Sequence, residues 1–219
     1  MGIAERKKRE RERRRKEILD AAESLFFSYG YENVSMDRIA DAVELNKATL
    51  YLYFRNKETL LAAVVLRGVQ ILNRMYQECA KKQIPGMDKV ALMGDTYYLF
   101  TRQYPDYVRI FRYYSLDLLS KDNPCSDEIE KTFMECRRLL CDAVREGMED
   151  GTIRNDIDPF LLTVYIMVTS MSIFSLTDKW KSILEQEGFS YDALIGEYRA
   201  FITTAVVSSE KPRASGPED

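Results

Sequence analysis

Apolar residues recur at three- and four-residue steps along almost the whole chain, a period that predicts helices, and no stretch alternates as a strand would. A first helix is striped by Ile18, Ala22, Leu25, Phe26 and Tyr29 and closed by Gly30. Ser35 opens a second, with Ile39, Ala40 and Val43 on its apolar face, and three residues further Asn46 caps a third. In that short helix Leu50 and Phe54 lie one turn apart and face inward, which puts Lys47 and Tyr51 together on another face with Ala48 beside them. Asn56 then caps a long helix over residues 57–82, striped by Leu61, Val64, Val65, Leu72, Met75, Tyr76 and Cys79. At 1.5 Å per residue it spans roughly 39 Å, enough to belong to an amino-terminal unit and to the domain that follows. Pro85-Gly86 breaks it. Two short helices joined by a few residues, the second carrying a cation and a ring outward, form the pattern of a helix-turn-helix.

Further along, Val90, Met93, Tyr97 and Phe100 mark a helix over 88–103, and another runs from Asp106 to about Ser120, followed by a loop over Lys121–Ser126. Ile129, Phe133, Cys136, Leu140, Val144 and Met148 stripe a helix over 127–149 that Gly151 closes, and Asp158-Pro159 starts the next as N-cap and first helical residue. Phe160–Thr177 carries no charge over eighteen residues, a length that approaches a membrane span. Its serines and threonines, and the lack of a second span, favour a helix buried on all sides, at a domain centre or in an oligomer interface, with no membrane partner. Residues 178–189 read as a polar connection holding the lone Trp180. A last helix, capped by Ser190, carries Tyr191, Leu194, Ile195, Tyr198, Phe201, Ile202 and Ala205 on one side. The fold class is all-α with about nine helices. An N-terminal three-helix helix-turn-helix domain with its arm occupies residues 1–66, a larger C-terminal helical domain residues 67–208, and a disordered tail 209–219.

Charge sharpens this division. The net charge is only −3, yet residues 1–68 hold 14 basic against 11 acidic side chains, and residues 6–16 hold nine against two. A weakly acidic chain with one basic end suggests that only that end meets a polyanion. The run from Glu5 to Glu17 is either a solvated charge run or an arm reaching DNA phosphates or the minor groove, and its place beside the helix-turn-helix favours the second. Without histidine, His-based triads, His-ligated zinc and most haem sites are excluded. Cys79, Cys125, Cys136 and Cys141 show no paired spacing, so neither metal nor cofactor is expected. These thiols, and the absence of a signal-peptide apolar run, fit a reducing cytoplasm. A thiol sensor at Cys136 or Cys141 is a weaker reading than buried structural cysteine. Glu135 and Asp142, seven residues apart on one helix face, are the best carboxylate pair for a helical enzyme acting on an apolar metabolite, but no metal signature or glycine-rich phosphate loop accompanies them.

Between Tyr97 and Tyr114 lie eight of the chain's 25 aromatic residues. Core packing accounts for about half of them, but buried tyrosines need hydroxyl partners, and so many in two adjacent helices could line a cavity for a flat or apolar ligand. Candidate lining residues are Tyr97, Phe100, Tyr104, Tyr107, Phe111 and Tyr114, joined by Met134, Arg137, Met167, Met171 and Phe174. The methionines suit something aromatic or greasy, and Arg137, if inward, an anionic group.

Residues 39–61, IADAVELNKATLYLYFRNKETLL, resemble the TetR family of bacterial repressors, whose DNA-binding domain carries a similar T-L-Y-x-Y-F-x-N/S-K-E-x-L run. The likeness extends over about residues 16–63, including a preceding helix that ends in Phe26, Phe27, Gly30 and Tyr31. The rest is similar only in helix count and in the turn Gly151-Thr152-Ile153 to Asp156-Ile157-Asp158-Pro159. The resemblance implies a regulator, not an enzyme: a homodimeric repressor on a palindromic operator in double-stranded DNA, released by a small-molecule effector. It further implies that the C-terminal helices hold the ligand and that the last two pair with a second subunit. A constitutive architectural DNA binder is the alternative. By matching position, Lys47, Ala48, Thr49 and Tyr51 would face the major groove, while Tyr53, Lys57 and the Ser35, Met36, Asp37 end of the preceding helix would hold phosphates. Two residues depart from the family pattern. Glu44 replaces a turn glycine, at a cost of roughly 1 kcal/mol if its backbone is left-handed. Leu52 replaces a polar residue or histidine, removing a phosphate donor but keeping a possible thymine-methyl contact.

Overall fold

The computed structural model describes residues 2–113 and 123–208. Tyr114, the far end of the helix expected to reach Ser120, the start of the loop at Lys121 and the tail at 209–219 lie outside the described residues. Within them the chain forms ten helices: α1 Ile3–Tyr29, α2 Met36–Ala42, α3 Lys47–Tyr51, α4 Lys57–Ala80, α5 Gly86–Gln103, α6 Pro105–Tyr113, α7 Ser126–Glu149, α8 Pro159–Phe174, α9 Asp178–Gln186 and α10 Tyr191–Val206. The one β-type pairing among them is an isolated bridge between Ile153 and Val207. Packing groups the chain into two compact units. One comprises the described residues up to Ile71 with those of Asp106–Thr132, and the other Leu72–Pro105 with the described residues from Phe133 onward.

In the first unit α1 begins at Ile3, so the basic arm is helical. Its Lys, Arg and Glu residues favour helix and pair along it, with Lys8–Glu12 at 3.9 Å, Arg14–Glu17 at 2.9 Å and Lys16–Asp20 at 2.7 Å. Ile18, Ala22 and Phe26 of α1 enclose a core with Ile39, Leu50, Phe54, Leu60 and Val64. Each large apolar side chain buried there contributes about 1.5–3 kcal/mol. α6 seats on α4 at Gly68, where an added Cβ would meet Tyr107 Cδ1 at 2.5 Å and Phe111 Cζ at 2.9 Å. The Tyr107 hydroxyl donates to Glu23 at 2.8 Å, and Arg67 forks across Glu23 and Asp20, each at 2.8 Å.

The second unit turns on a close backbone crossing, since a Cβ on Gly86 would lie 2.0 Å from the Gly147 nitrogen. Asp150 fixes it by accepting the Gly86 N–H at 2.7 Å, and the buried Lys89 pairs with Glu146 beside it. The charge-free helix α8 buries only one face, through Leu162, Thr163, Ile166, Ser170 and Phe174. Leu161, Tyr165, Val168 and Met171 are exposed, so burial on all sides is not met among the described residues. No single described helix is long and apolar enough to cross a membrane. The stretch expected as a polar connection is instead helix α9, which accounts for ten helices rather than nine. Trp180, Ile183 and Leu184 have helical spacing, but none of its residues is buried, so its apolar stripe is faint in the sequence.

Candidate nucleic-acid interface

Three side-chain caps and three buried anchors set the geometry of the helix-turn-helix. The Ser35 hydroxyl accepts the Arg38 N–H at 3.2 Å, the Asn46 carbonyl accepts that of Thr49 at 2.7 Å, and the Asn56 carbonyl accepts that of Thr59 at 2.9 Å. Ile39, Leu50 and Phe54 are buried as their spacing predicts. The turn closes through Leu45 N–H to the Ala40 carbonyl at 2.9 Å, with Glu44 at φ +53°, the one non-glycine residue of positive φ among the described residues. With the anchors inward, Lys47, Ala48, Tyr51 and Leu52 are exposed, and Thr49 and Tyr53 half-buried. Ser35 and Asp37 are exposed at the start of α2, but Met36 turns into the core, leaving its backbone for any contact.

Ser35, Asp37, Lys47, Tyr51 and Lys57 line one open cleft of about 460 Å³, together with Glu32 and Asn33. Its cations are engaged within the unit. Lys47 Nζ lies 2.6 Å from Asp37 Oδ1, and that hydrogen bond and charge raise the lysine pKa above its ordinary value. Lys57 donates to the Tyr31 carbonyl at 3.0 Å and stands 4.2 Å from the centre of the Tyr31 ring. Burial, reinforced by Glu58 and Glu32, pushes the Tyr31 phenol up to about 12. Nearby, Arg38 stacks on Tyr29 with its guanidinium carbon 3.6 Å from the ring centre, and Arg55 is exposed. Nothing in the local pattern marks Glu32 or Asn33, which lie in the connection before α2. Arg38 and Arg55 were readable as cations within the motif.

The candidate ligand residues divide between the two units. Tyr97, Phe100, Tyr104 and Phe174 come together in the second unit, with ring centres 6.5 Å apart for Tyr97–Phe100, 5.3 Å for Phe100–Tyr104 and 6.1 Å for Tyr97–Phe174. Tyr98 and Tyr198 extend the cluster around Phe174 at 5.3 and 5.4 Å. Tyr107 and Phe111 instead pack on Gly68 in the first unit. Met134 and Met171 are exposed, Met167 is half-buried, and Arg137 lies over the Phe160 ring at 5.4 Å. Met87, Val90, Ile166, Phe174, Tyr198 and Arg199 line a cleft of about 140 Å³ that also borders Gly94. At its side the Tyr198 hydroxyl shares hydrogen bonds with Thr169 at 2.7 Å and Ser170 at 2.9 Å. Tyr198 was visible only as one apolar position of the last helix.

Glu135 and Asp142 do share a face of α7, but Arg138 bridges them there, 2.7 Å from each. All four cysteines are buried. Burial raises the Cys136 thiol to about 11 against the opposing hydrogen bond from Asn73, so it stays protonated and unreactive at neutral pH.

Residues 18–64 match the family described as bacterial regulatory proteins, tetR family. The HTH-type transcriptional repressor KstR2 of Mycolicibacterium smegmatis is 26% identical over 157 residues, which cover 72% of this chain and 76% of that protein. The solved structure of the transcriptional regulator FadR from Bacillus subtilis in complex with stearoyl-CoA superposes with a TM-score of 0.63 at 20% identity, covering 86% of this chain and 97% of that one. That of AibR in complex with isovaleryl coenzyme A and operator DNA gives 0.66 at 21% identity, covering 87% and 98%. An all-helical fold with a capped helix-turn-helix at its amino-terminal end defines a DNA-binding transcriptional regulator. Residues 18–64 carry the segment shared with bacterial regulators of the tetR family, and over most of its length the chain is similar to HTH-type transcriptional repressors.

Proposed function

We propose that the protein is a cytoplasmic repressor that binds a palindromic operator as a homodimer and is released by a small apolar ligand, with no catalytic step of its own. The observation that carries this reading is the outward face of α3. Lys47, Ala48 and Tyr51 on the helix and Leu52 at its C-terminal cap are exposed, while Leu50 within it and Phe54 just beyond anchor the opposite side. Lysine and tyrosine there can donate to base edges or phosphates, and the alanine and leucine can touch thymine methyls. Thr49 joins the groove contacts, while Ser35, the backbone at Met36, Tyr53 and the unspent donors of Lys57 serve the phosphate backbone. The helical basic arm adds charge that is independent of sequence. On this reading residues 1–66 are the DNA-binding domain and residues 67–208 hold the ligand and the dimer contact.

Two features support the rest. The exposed stripe Leu161, Tyr165 and Val168 on α8, together with the small exposed residues Ala193, Gly196 and Ala200 of α10, offers apolar surface that a second copy would cover. The aromatic cluster around Phe174 and the adjoining cleft suit an apolar effector. The stearoyl-CoA and isovaleryl-CoA of the FadR and AibR structures, and the ketosteroid regulator named in a solved KstR2 structure, support an effector with an extended apolar part, acyl-CoA among the candidates.

Footprinting the protein on its own genomic DNA, followed by mobility-shift titration with isovaleryl-CoA and stearoyl-CoA, tests the proposal. Selective binding to a palindrome, weakened by one of these ligands, is expected. Equal affinity for the footprinted site and random sequence would identify an architectural binder instead.

A further inference from the structure

The cleft on the helix-turn-helix contains an acid where a polyanion is to be received. Asp37 is 63% exposed and lies beside Lys47, which is 56% exposed, on the surface that also holds Tyr51. Facing phosphates, an unpaired carboxylate weakens binding to every DNA sequence alike. Its placement in the first turn of α2 favours the helix dipole, and its ion pair ties α2 to α3, but an exposed pair of this kind contributes little to stability. Of the two lysines that line the cleft, Lys57 is half-buried and turned to Tyr31, so Lys47 is the exposed one, and it pairs with Asp37.

An ammonium donor and a carboxylate acceptor 2.6 Å apart have the complementary order to one edge of a base pair. In the major groove guanine offers the acceptors N7 and O6, and its paired cytosine offers the N4 donor next to O6. An A·T pair also offers two acceptors, adenine N7 and thymine O4, but the N6 donor lies between them, so an ammonium held beside a carboxylate on N6 reaches only one of them. We propose that Asp37 and Lys47 act as one composite reader of a single G·C pair in each half-site, Lys47 donating to guanine and Asp37 accepting from cytosine N4. Asp37 is then a specificity-determining residue. It lowers affinity for all other sequences by repulsion and recovers that loss only where a cytosine amino group meets it. This rests on the reading of α3 as the groove-facing helix.

The test is selection of binding sites from random double-stranded DNA by the full-length wild-type protein, followed by affinity measurements for wild type, Asp37→Asn, Lys47→Ala and the double variant. Circular dichroism melts of each establish that they are folded. The wild type is expected to select one G·C pair per half-site whose replacement by A·T costs about tenfold. In Asp37→Asn that penalty should fall to about twofold or less, while affinity for random DNA holds or rises, and the double variant should discriminate no worse at that pair than Lys47→Ala alone. Full retention of the penalty in Asp37→Asn overturns the composite reader and leaves the regulator standing. So does an even loss of affinity at all positions, which would make Asp37 a mere tether between α2 and α3. A wild-type protein that selects no sequence overturns the regulator reading, and this one with it.

Discussion

At the scale of single residues, the turn of the helix-turn-helix carries a strain that one substitution should relieve. Glu44 holds φ +53°, a left-handed backbone that costs a residue with a Cβ roughly 1 kcal/mol and a glycine almost nothing. Glu44→Gly should therefore stabilise the protein by up to about 1 kcal/mol, a rise of about 2–4 °C in the melting temperature for a chain of this size. A lower melting temperature in calorimetry would mean that the Glu44 side chain contributes more than its backbone costs. Tyr51 bears on function instead. It is 43% exposed on the outward face of α3, so truncation should leave the fold intact. Tyr51→Ala should cost about 1–3 kcal/mol on the operator with an unchanged thermal melt, and unaltered operator affinity in a mobility shift would remove it from the groove. Glu44 was legible only through the family resemblance, as a departure from a turn glycine, whereas the outward placement of Tyr51 follows from local rules. The caps at Ser35 and Asn46 set the frame, and spacing from Leu50 and Phe54 sets the face. The pairing of Lys47 with Asp37 was not legible, since ten residues and a turn separate them and only the folded angle between α2 and α3 brings them within a hydrogen bond.

Whole elements depend on contacts of this second kind, which makes them harder to read and easier to break. α6 lies against α4 at Gly68 with no room for a methyl group, and both side chains that fill the notch are aromatic rings. Gly68→Ala must push Tyr107 and Phe111 aside and disturb the Tyr107 bond to Glu23, so a loss of about 1–3 kcal/mol is expected. Chemical denaturation measures it, and a change below about 0.5 kcal/mol would show that α6 yields freely. The same element explains why the aromatic run does not form one cavity. Tyr97, Phe100, Tyr107 and Phe111 fall within fifteen residues and are indistinguishable by composition. The break at Tyr104-Pro105 sends the first pair to one packing unit and the second to the other. α9 was missed for a related reason. Its Trp180, Ile183 and Leu184 form a stripe that nothing in the described chain buries deeply, and burial, more than propensity, is what makes a short helix conspicuous in a sequence.

For the molecule as a whole, the exposed face of α8 is the feature that the described residues leave uncovered. Leu161, Tyr165 and Val168 recur at i, i+4 and i+7 with 51, 61 and 57% of their surface exposed, on a helix without a charge. Three apolar side chains aligned on one helix face suit the contact with a second copy proposed above, and a two-fold pairing would place this face against its own copy. Val168→Glu would set two carboxylates close to the pairing axis and should turn a dimer into a monomer in sedimentation velocity. Because the residue is exposed in one chain, the monomer should keep its helical content, so lost association can be told apart from unfolding. Operator binding supplies the second readout. Two recognition helices joined in a dimer gain from effective concentration, so Val168→Glu should bind the full palindrome far more weakly than wild type while matching it on an isolated half-site. The pairing would also carry the effector response. Any coupling between ligand and operator is reciprocal, so operator DNA should weaken ligand binding by the factor by which ligand weakens operator binding, and Val168→Glu should abolish that factor on half-site DNA if it acts through the spacing of the two subunits. A variant that stays dimeric would place the interface away from α8, and a monomer that keeps full coupling would place the switch within one chain.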